Sequence, residues 1–183
     1  MNIPKIILVT GAARSGKSEW AERLAVKSGL QVVYVATAKI DPTDLEWQVR
    51  IGQHRQRRPL DWQIMEGANN LTEMITNSRS GQCLLIDSLG TWVANFLEDA
   101  EEVWLLEQSK LLSSLPAAAA MVIFVAEETG WGVVPAYALG RLFRDRLGTL
   151  TRKIGSIADP VYLVTAGRVL NLAQLGESLD TQD

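Results

Sequence analysis

Three groups of residues in this chain are of the types, and at the spacings, that phosphate chemistry needs. Gly11-Ala12-Ala13-Arg14-Ser15-Gly16-Lys17-Ser18 follows the spacing G-x-x-x-x-G-K-[ST] of a loop that cradles a polyphosphate. Glycine at positions 11 and 16 permits a tight turn and a close approach of backbone to phosphate. Successive N–H groups then point inward, and the helix that follows adds the positive end of its dipole. Lys17 is expected to reach the β- and γ-phosphates, and the Ser18 hydroxyl to ligate Mg²⁺. Asp87 ends the apolar run Leu84-Leu85-Ile86. A carboxylate there can hold the same ion directly or through water, or it can cap the next helix.

The second group surrounds His54, the only histidine, in Arg50-Ile51-Gly52-Gln53-His54-Arg55-Gln56-Arg57-Arg58-Pro59. On a helix Arg50, His54 and Arg57 or Arg58 share one face. Charge repulsion from the guanidiniums favours the neutral, nucleophilic imidazole, and the same guanidiniums can grip phosphate oxygens in pairs. A neutral imidazole can attack phosphorus and split one transfer into two easier ones. Spacing alone leaves two other readings open: a solvated histidine on a basic helix, and a basic patch for RNA or a protein partner. The third group is dispersed. Glu66 can accept hydrogen bonds from a guanine edge or a ribose, or be a surface carboxylate. Glu127-Glu128-Thr129-Gly130-Trp131-Gly132-Val133-Val134-Pro135 follows a strand and reads as a shaped substrate loop or as an ordinary connection.

The elements that must position these groups alternate between strand and helix. Lys5 to Thr10 reads as a buried strand and Ser18 to Val26 as a helix closed by Gly29. Gln31 to Ala36 is a second strand. Thr43-x-x-Glu46 resembles a capping box opening a helix to about Arg57. Trp62 to Ile64 is a short strand, and Asn69 or Asn70 caps a helix through Ser78. Gln82 to Ile86 and Met121 to Ala126 are strands, with helical patterns at Leu89 to Leu97 and Glu101 to Leu115 between them. Leu139, Leu142, Phe143, Leu147, Leu150, Ile154 and Ile157 recur at helical spacing, which predicts a core-facing stripe. Asp159-Pro160 stops that helix, and Val161 to Thr165 is the last long strand. The pattern predicts a mostly parallel sheet covered on both faces, with ligand at the carboxyl ends of its strands. One domain over residues 1–175 and a polar tail over 176–183 are expected.

Composition narrows the function. A length of 183 residues supports a substantial core, and a net charge of −3 argues against nucleic acid as the main partner. Cys83 is the only cysteine, so no intramolecular disulfide or cysteine metal cluster is possible. It is expected to be a packed small residue, in keeping with a reducing cytoplasm. The stretch Leu115 to Ala126 is too short to span a bilayer, and no apolar signal precedes the first strand.

Taken together, these residues resemble the bifunctional adenosylcobinamide kinase / adenosylcobinamide-phosphate guanylyltransferase family of cobalamin biosynthesis. The markers run nearly end to end. They are the loop at 11–18, Tyr34-Val35-Ala36-Thr37-Ala38, Arg50-Ile51 with His54 and Arg58-Pro59, and Trp62 with Glu66. They continue with Asp87-Ser88-Leu89, Trp92 and Asn95, then Gly130 to Pro135, Arg141-x-Phe143-Arg144-Asp145, and Val161 to Gly167. The resemblance implies a three-layer P-loop fold like that of RecA and a homo-oligomer with nucleotide sites near subunit contacts. It implies that His54 is guanylylated by GTP, and that Ala36, Thr37, Ala38, Arg55, Gln56, Arg57, Arg58, Glu66 and Asp87 bind the guanine nucleotide. A nucleoside triphosphate, ATP or GTP, first phosphorylates the aminopropanol hydroxyl of adenosylcobinamide. GMP then passes through His54 to that phosphate, releasing pyrophosphate. The alternative is a plain P-loop small-molecule kinase. Three positions depart from the family's usual residues: Ala12 stands for Gly, Ser88 for Cys, and Glu127 for Asn. At Ala12 a positive φ would be strained. Spacing does not single out a general base for the kinase step; Glu128 is a candidate.

Overall fold

The computed structural model describes residues 5–38, 59–66 and 70–179. The strands are β1 (Ile6–Gly11), β2 (Gln31–Ala36), β3 (Gln63–Glu66), β4 (Gln82–Asp87), β5 (Met121–Glu127), β6 (Val161–Thr165) and β7 (Arg168–Asn171). The helices are α1 (Lys17–Lys27), α2 (Leu71–Thr76), α3 (Leu89–Ala94), α4 (Glu101–Ser114), α5 (Ala138–Gly155) and α6 (Leu172–Leu175). The strands form one sheet in the order β3-β2-β4-β5-β1-β6-β7. Every pairing is parallel except β6 with β7.

Burial explains the order. A strand in the middle of a parallel sheet is covered on both faces and therefore reads as a continuous apolar run. Ile6-Ile7-Leu8-Val9, Cys83-Leu84-Leu85-Ile86 and Val122-Ile123-Phe124-Val125-Ala126 are all buried. Alternate residues of each run enter different cores. Leu8, Leu84, Ile86, Val122 and Phe124 pack with α2 to α5. Val9, Leu85, Ile123 and Val125 pack with Ala21 and Ala25 of α1. The expected mostly parallel, three-layer α/β sandwich is thus the observed one, with the phosphate-cradling loop joining β1 to α1. Among the described residues no helix is long and apolar enough to cross a membrane.

Two features differ from the sequence reading. β7 follows β6 through a two-residue turn, Thr165 pairing with Arg168, in which Ala166 and Gly167 both take positive φ (46° and 70°). Such turns match the twist of a hairpin. Their usual signature is Asn-Gly or Asp-Gly, which is why Ala-Gly hid the strand. The apolar stripe of α5 is core only in its middle: Leu147, Leu150 and Ile154 are buried, while Leu139 and Ile157 are 48% and 41% exposed. The same helix buries Arg146, whose guanidinium donates to the Phe96 carbonyl (2.7 Å) and to the Glu101 carboxylate (2.6 Å). Its charge also lies 5.2 Å from the centre of the Trp104 ring. That set of partners makes the burial tolerable and ties α5 to the start of α4.

Cys83 is fully buried, and burial pushes its thiol from 9.0 up to about 12, partly offset by a hydrogen bond with Ser28. The thiolate is the reactive form, so this residue is a packing group, as expected. In the unfolded chain the thiol ionises near 9. Its contribution to stability is therefore complete below pH 9 and falls as pH climbs towards about 12. Urea midpoints measured at about pH 8 and about pH 10.5 should show a smaller alkaline loss in Cys83→Ala than in the native chain. Native Cys83 should also resist thiol reagents until the protein unfolds.

Candidate phosphate site at the carboxyl edge of the sheet

The loop between β1 and α1 is built to leave a helix end open. α1 starts after Gly16, which is left-handed (φ 94°) and offers no side chain to cap the first N–H groups. Unsatisfied N–H groups and the helix dipole together favour an anion there. A second left-handed residue, Arg14 (φ 60°), and the Ser15 N–H to Ala12 carbonyl bond (3.2 Å) shape the turn before it. Alternating handedness aims successive N–H groups to one side. Ala12 has no positive φ, so alanine carries no backbone strain at that position. Ala12, Ala13 and Arg14 are exposed, and Ser15, Gly16 and Ser18 are half-buried. Lys17 is only 7% exposed, and its ammonium makes one long contact, 3.4 Å, to the Ala12 carbonyl. The Ser15 hydroxyl is buried with no partner among the described residues. A buried cation beside an orphaned hydroxyl and open N–H groups is a cradle for negative charge.

Gly11 has a different reason from the one the motif implies. A Cβ there would lie 2.4 Å from the Val164 carbonyl and 2.6 Å from Ser15 Oγ. Glycine lets β6 and the turn close on the end of β1, which holds the cradle's shape.

Register brings other predicted residues to the same edge. Ala36 pairs with Glu66 on one side and with Asp87 on the other. Asp87 pairs with Val125, which also pairs with Val9, two residues before the end of β1. Neighbouring strands lie about 4.8 Å apart, so Asp87 is about 10 Å across the sheet from β1, with one strand between them. Asp87 is half-buried, and Tyr34 Oη donates to its Oδ2 at 3.0 Å. The capping alternative falls to Ser88 instead. Ser88 caps α3 with a full capping box, its hydroxyl accepting from the Thr91 N–H (3.3 Å). Glu66 is exposed at the end of the edge strand β3.

Thr37 has a role that the sequence did not disclose. It is fully buried; its hydroxyl donates to the Ser88 carbonyl (2.6 Å) and accepts from the Ser88 N–H (3.0 Å), and it also meets the Thr91 hydroxyl. Its own carbonyl accepts from Asn95 Nδ2 (2.9 Å). Thr37 therefore latches the exit of β2 to the start of α3, beside Asp87. Ala36 and Ala38, the small residues flanking it, are half-buried. Ser88, Thr91 and Asn95, spaced one helical turn apart, were the available signal. His54, Arg55, Gln56, Arg57 and Arg58 lie outside the described residues, as does the expected helix from Thr43. The described chain stops at Ala38, at the carboxyl end of β2, and resumes at Pro59.

The donor set suits Mg²⁺. Hydroxyl and carboxylate oxygens are hard ligands, and Mg²⁺ takes one or two carboxylates with substrate phosphates and waters in place of a full protein cage. Among the described residues no group of three or more His, Cys, Asp or Glu is placed to form such a cage. Asp87 and Ser18, with the phosphates, would be its holders.

The end of β5 carries two carboxylates with separate partners. Glu127 Oε2 accepts from the Gly90 N–H of α3 (3.0 Å). Glu128 Oε1 accepts from the Thr10 hydroxyl (2.7 Å), and its N–H donates to the Gly11 carbonyl (3.0 Å). The loop beyond is pinned by α5: Arg144 donates to the Gly130 carbonyl (2.8 Å) and Arg141 to the Pro135 and Ala136 carbonyls (3.0 and 2.7 Å). Both arginines were markers of the resemblance with no role attached. Glu127, Glu128, Trp131 and Arg144 line a groove of about 1640 Å³ alongside α5, which Thr10 of β1 and Val161 of β6 also border.

Gly90 and Glu127 make a reciprocal test of this edge. A Cβ on Gly90 would lie 2.2 Å from Glu127 Oε2. Gly90→Ala should therefore displace the carboxylate and lose its hydrogen bond, costing about 1–2 kcal/mol. That exceeds the helix-propensity gain of about 1 kcal/mol. In a Glu127→Ala background the obstacle is gone, and the same substitution should stabilise. Chemical denaturation of the four proteins checks it; simple additivity would show that Glu127 does not occupy this position.

Comparisons with known proteins agree with the geometry. Residues 7–172 match the family described as cobinamide kinase / cobinamide phosphate guanyltransferase. The chain is 40% identical over 163 residues to the bifunctional adenosylcobalamin biosynthesis protein CobP of Pseudomonas aeruginosa, covering 87% of this chain and 92% of that protein. It is 36% identical over 177 residues to the bifunctional adenosylcobalamin biosynthesis protein CobU of Escherichia coli, covering 88% and 96%. Among solved structures, a Pyrococcus horikoshii OT3 protein from the structural study of Project ID PH0250 shares the fold with a TM-score of 0.57 at 6% identity, over 97% of this chain and 88% of that one. A match over nearly the whole chain, on top of an open helix end and a strand-end carboxylate, places this protein in the cobinamide kinase / cobinamide phosphate guanyltransferase family.

Proposed function

We propose that this chain phosphorylates the aminopropanol hydroxyl of adenosylcobinamide with a nucleoside triphosphate and then transfers GMP from GTP, through His54, to the phosphate so formed. The products are adenosylcobinamide-GDP and pyrophosphate. The observation that carries this reading is the uncapped start of α1 with Lys17 buried beside it, in a chain of this family. The N–H groups from Gly11 to Ser18 hold the phosphates, and Lys17 offsets charge on the β- and γ-phosphates. Mg²⁺, held by Ser18 and Asp87, supplies further charge neutralisation when bound.

For guanylyl transfer, His54 attacks the α-phosphorus as the neutral imidazole and pyrophosphate leaves. Arg55, Gln56, Arg57 and Arg58 bind the phosphates, and Ala36, Thr37, Ala38 and Glu66 bind the guanosine. With the hydroxyl and carbonyl of Thr37 engaged by Ser88 and Asn95, we assign its contribution to backbone placement. The enzyme works in the cytoplasm as a homo-oligomer; the exposed Trp131, Val133, Val134 and Tyr137 supply apolar surface for a subunit contact.

Two experiments test this. Mixing the protein with Mg²⁺ and GTP labelled at the α-phosphate should give an acid-labile protein adduct, absent in His54→Ala. Adduct formation that persists in His54→Ala would overturn the assignment, and native protein that phosphorylates cobinamide but forms no adduct would leave only the kinase. Lys17→Ala should slow cobinamide phosphorylation about a hundredfold or more, measured at saturating nucleotide, because a preorganised charge at the transferred group is lost.

A further inference from the structure

We propose that Glu128 is the carboxylate that accepts the proton of the acceptor hydroxyl in the kinase step, and that Thr10 is the residue that positions it. The inference rests on the kinase reading above and adds the missing base to it. Four observations on the geometry converge. Glu128 is anchored at the root of the phosphate-cradling loop, its N–H on the Gly11 carbonyl at 3.0 Å. Its Oε1 is fixed by the Thr10 hydroxyl at 2.7 Å, so the side chain is held beside the last residue before the loop. Its Oε2 has no hydrogen-bond partner among the described residues, which leaves one basic oxygen available. Finally, Glu128 lines the groove of about 1640 Å³, the described cavity that reaches the phosphate-cradling edge and is large enough for a bulky acceptor.

The neighbouring carboxylates are held toward other elements. Glu127 is bonded to the Gly90 N–H and Asp87 to the Tyr34 hydroxyl. Asp87 also faces the α1 side of the sheet, in register with Ala36, whereas Thr10 and Glu128 both border the groove on the α5 side. A nucleotide seated on α1 and an acceptor in the groove would then meet at the β1–β5 seam, where Glu128 lies.

The step balances without another reactant. The acceptor oxygen forms a bond to the γ-phosphorus as the bond from that phosphorus to the β,γ-bridging oxygen breaks. The hydroxyl proton passes to Glu128 Oε2, and the nucleoside diphosphate leaves with the electron pair of the broken bond. The O–H of Thr10 donates to Oε1 and so holds the side chain in place, with Oε2 left to face the acceptor. The other charged groups that line the groove with Glu128 are Glu127, Asp159 and Glu177, and Arg144, Asp145, Arg152 and Lys153 of α5.

The test compares the native enzyme with Glu128→Gln and Thr10→Val in two assays: phosphorylation of cobinamide across pH, and formation of the GMP adduct from GTP alone, in which no acceptor hydroxyl is deprotonated. Glu128→Gln should lower the kinase kcat about a hundredfold, within the range a positioned base contributes, and abolish the acidic limb of kcat/KM. It should leave adduct formation within about twofold of native, which shows that the fold and the nucleotide site are intact. Thr10→Val should lower the kinase kcat about tenfold and likewise leave adduct formation within about twofold of native. A Glu128→Gln enzyme with kinase kcat within about threefold of native, or with the acidic limb unmoved, overturns the proposal. So does parallel loss of kinase and adduct formation. Failure of the kinase reading itself is a separate result: native protein that does not phosphorylate cobinamide at all.

Discussion

Two helices begin on the same edge of one sheet, and their beginnings are treated in opposite ways. α3 starts on Ser88, which closes a capping box with Thr91 and is further held by Thr37. α1 starts on Gly16, which closes nothing. An unsatisfied helix end costs free energy when it is enclosed without a partner, so leaving α1 open is a constraint on every neighbour. Among the described residues Lys17 is buried beside it without a carboxylate to quench its charge, and the nearest strand-end acids must find other partners. They do: Asp87 takes Tyr34, Glu127 takes Gly90, and Glu128 takes Thr10. An acid aimed at α1 would fill the cradle from within.

The sheet order makes this separation possible. β5 lies between β1 and β4, so Asp87 is a full strand away from β1 and level with Val9, two residues before that strand ends. At about 10 Å across the sheet from β1, Asp87 leaves room for the phosphates and ion that it and Ser18 would hold. Gly11 contributes to the same end. Its missing side chain lets the Val164 carbonyl approach, so β6 braces the loop from the far side. The strand-end residues are thus fixed by backbone pairing and by local hydrogen bonds before any ligand arrives, which is what preorganised electrostatics needs.

Much of this was legible in the chain because each signal is local. Apolar runs of four to six residues between turn signals marked the central strands, and Gly-x-x-x-x-Gly-Lys-Ser marked the loop. Asp87 was legible because it ends such a run. The residues that sequence did not resolve act across the fold. Thr37 and Ser88 are far apart in sequence and meet only because β2 and β4 pair in parallel. The close approach of Val164 to Gly11 depends in the same way on β6 lying beside β1. The hairpin of β6 and β7 was missed for a different reason: its turn uses Ala166 in a left-handed conformation that alanine seldom supplies. The ends of the α5 stripe were misjudged because periodicity reports a face, and the sheet beneath is shorter than the helix.

The two chemistries of this family divide along that same line between local and distant. Phosphoryl transfer needs charge placed around one phosphorus, and the rigid strand ends can supply it without moving. Guanylyl transfer adds attack at a second phosphorus of the same triphosphate, from a nucleophile that must be aligned differently. One fixed constellation cannot align an acceptor with both atoms at once. The nucleophile proposed for the second reaction, His54, falls in sequence between Ala38 and Pro59, after the end of β2. Thr37, beside Asp87 at the exit of β2, is buried with its hydroxyl and carbonyl both hydrogen-bonded. On the role proposed for His54, an exit anchored at Thr37 is what would let one phosphate cradle serve both reactions.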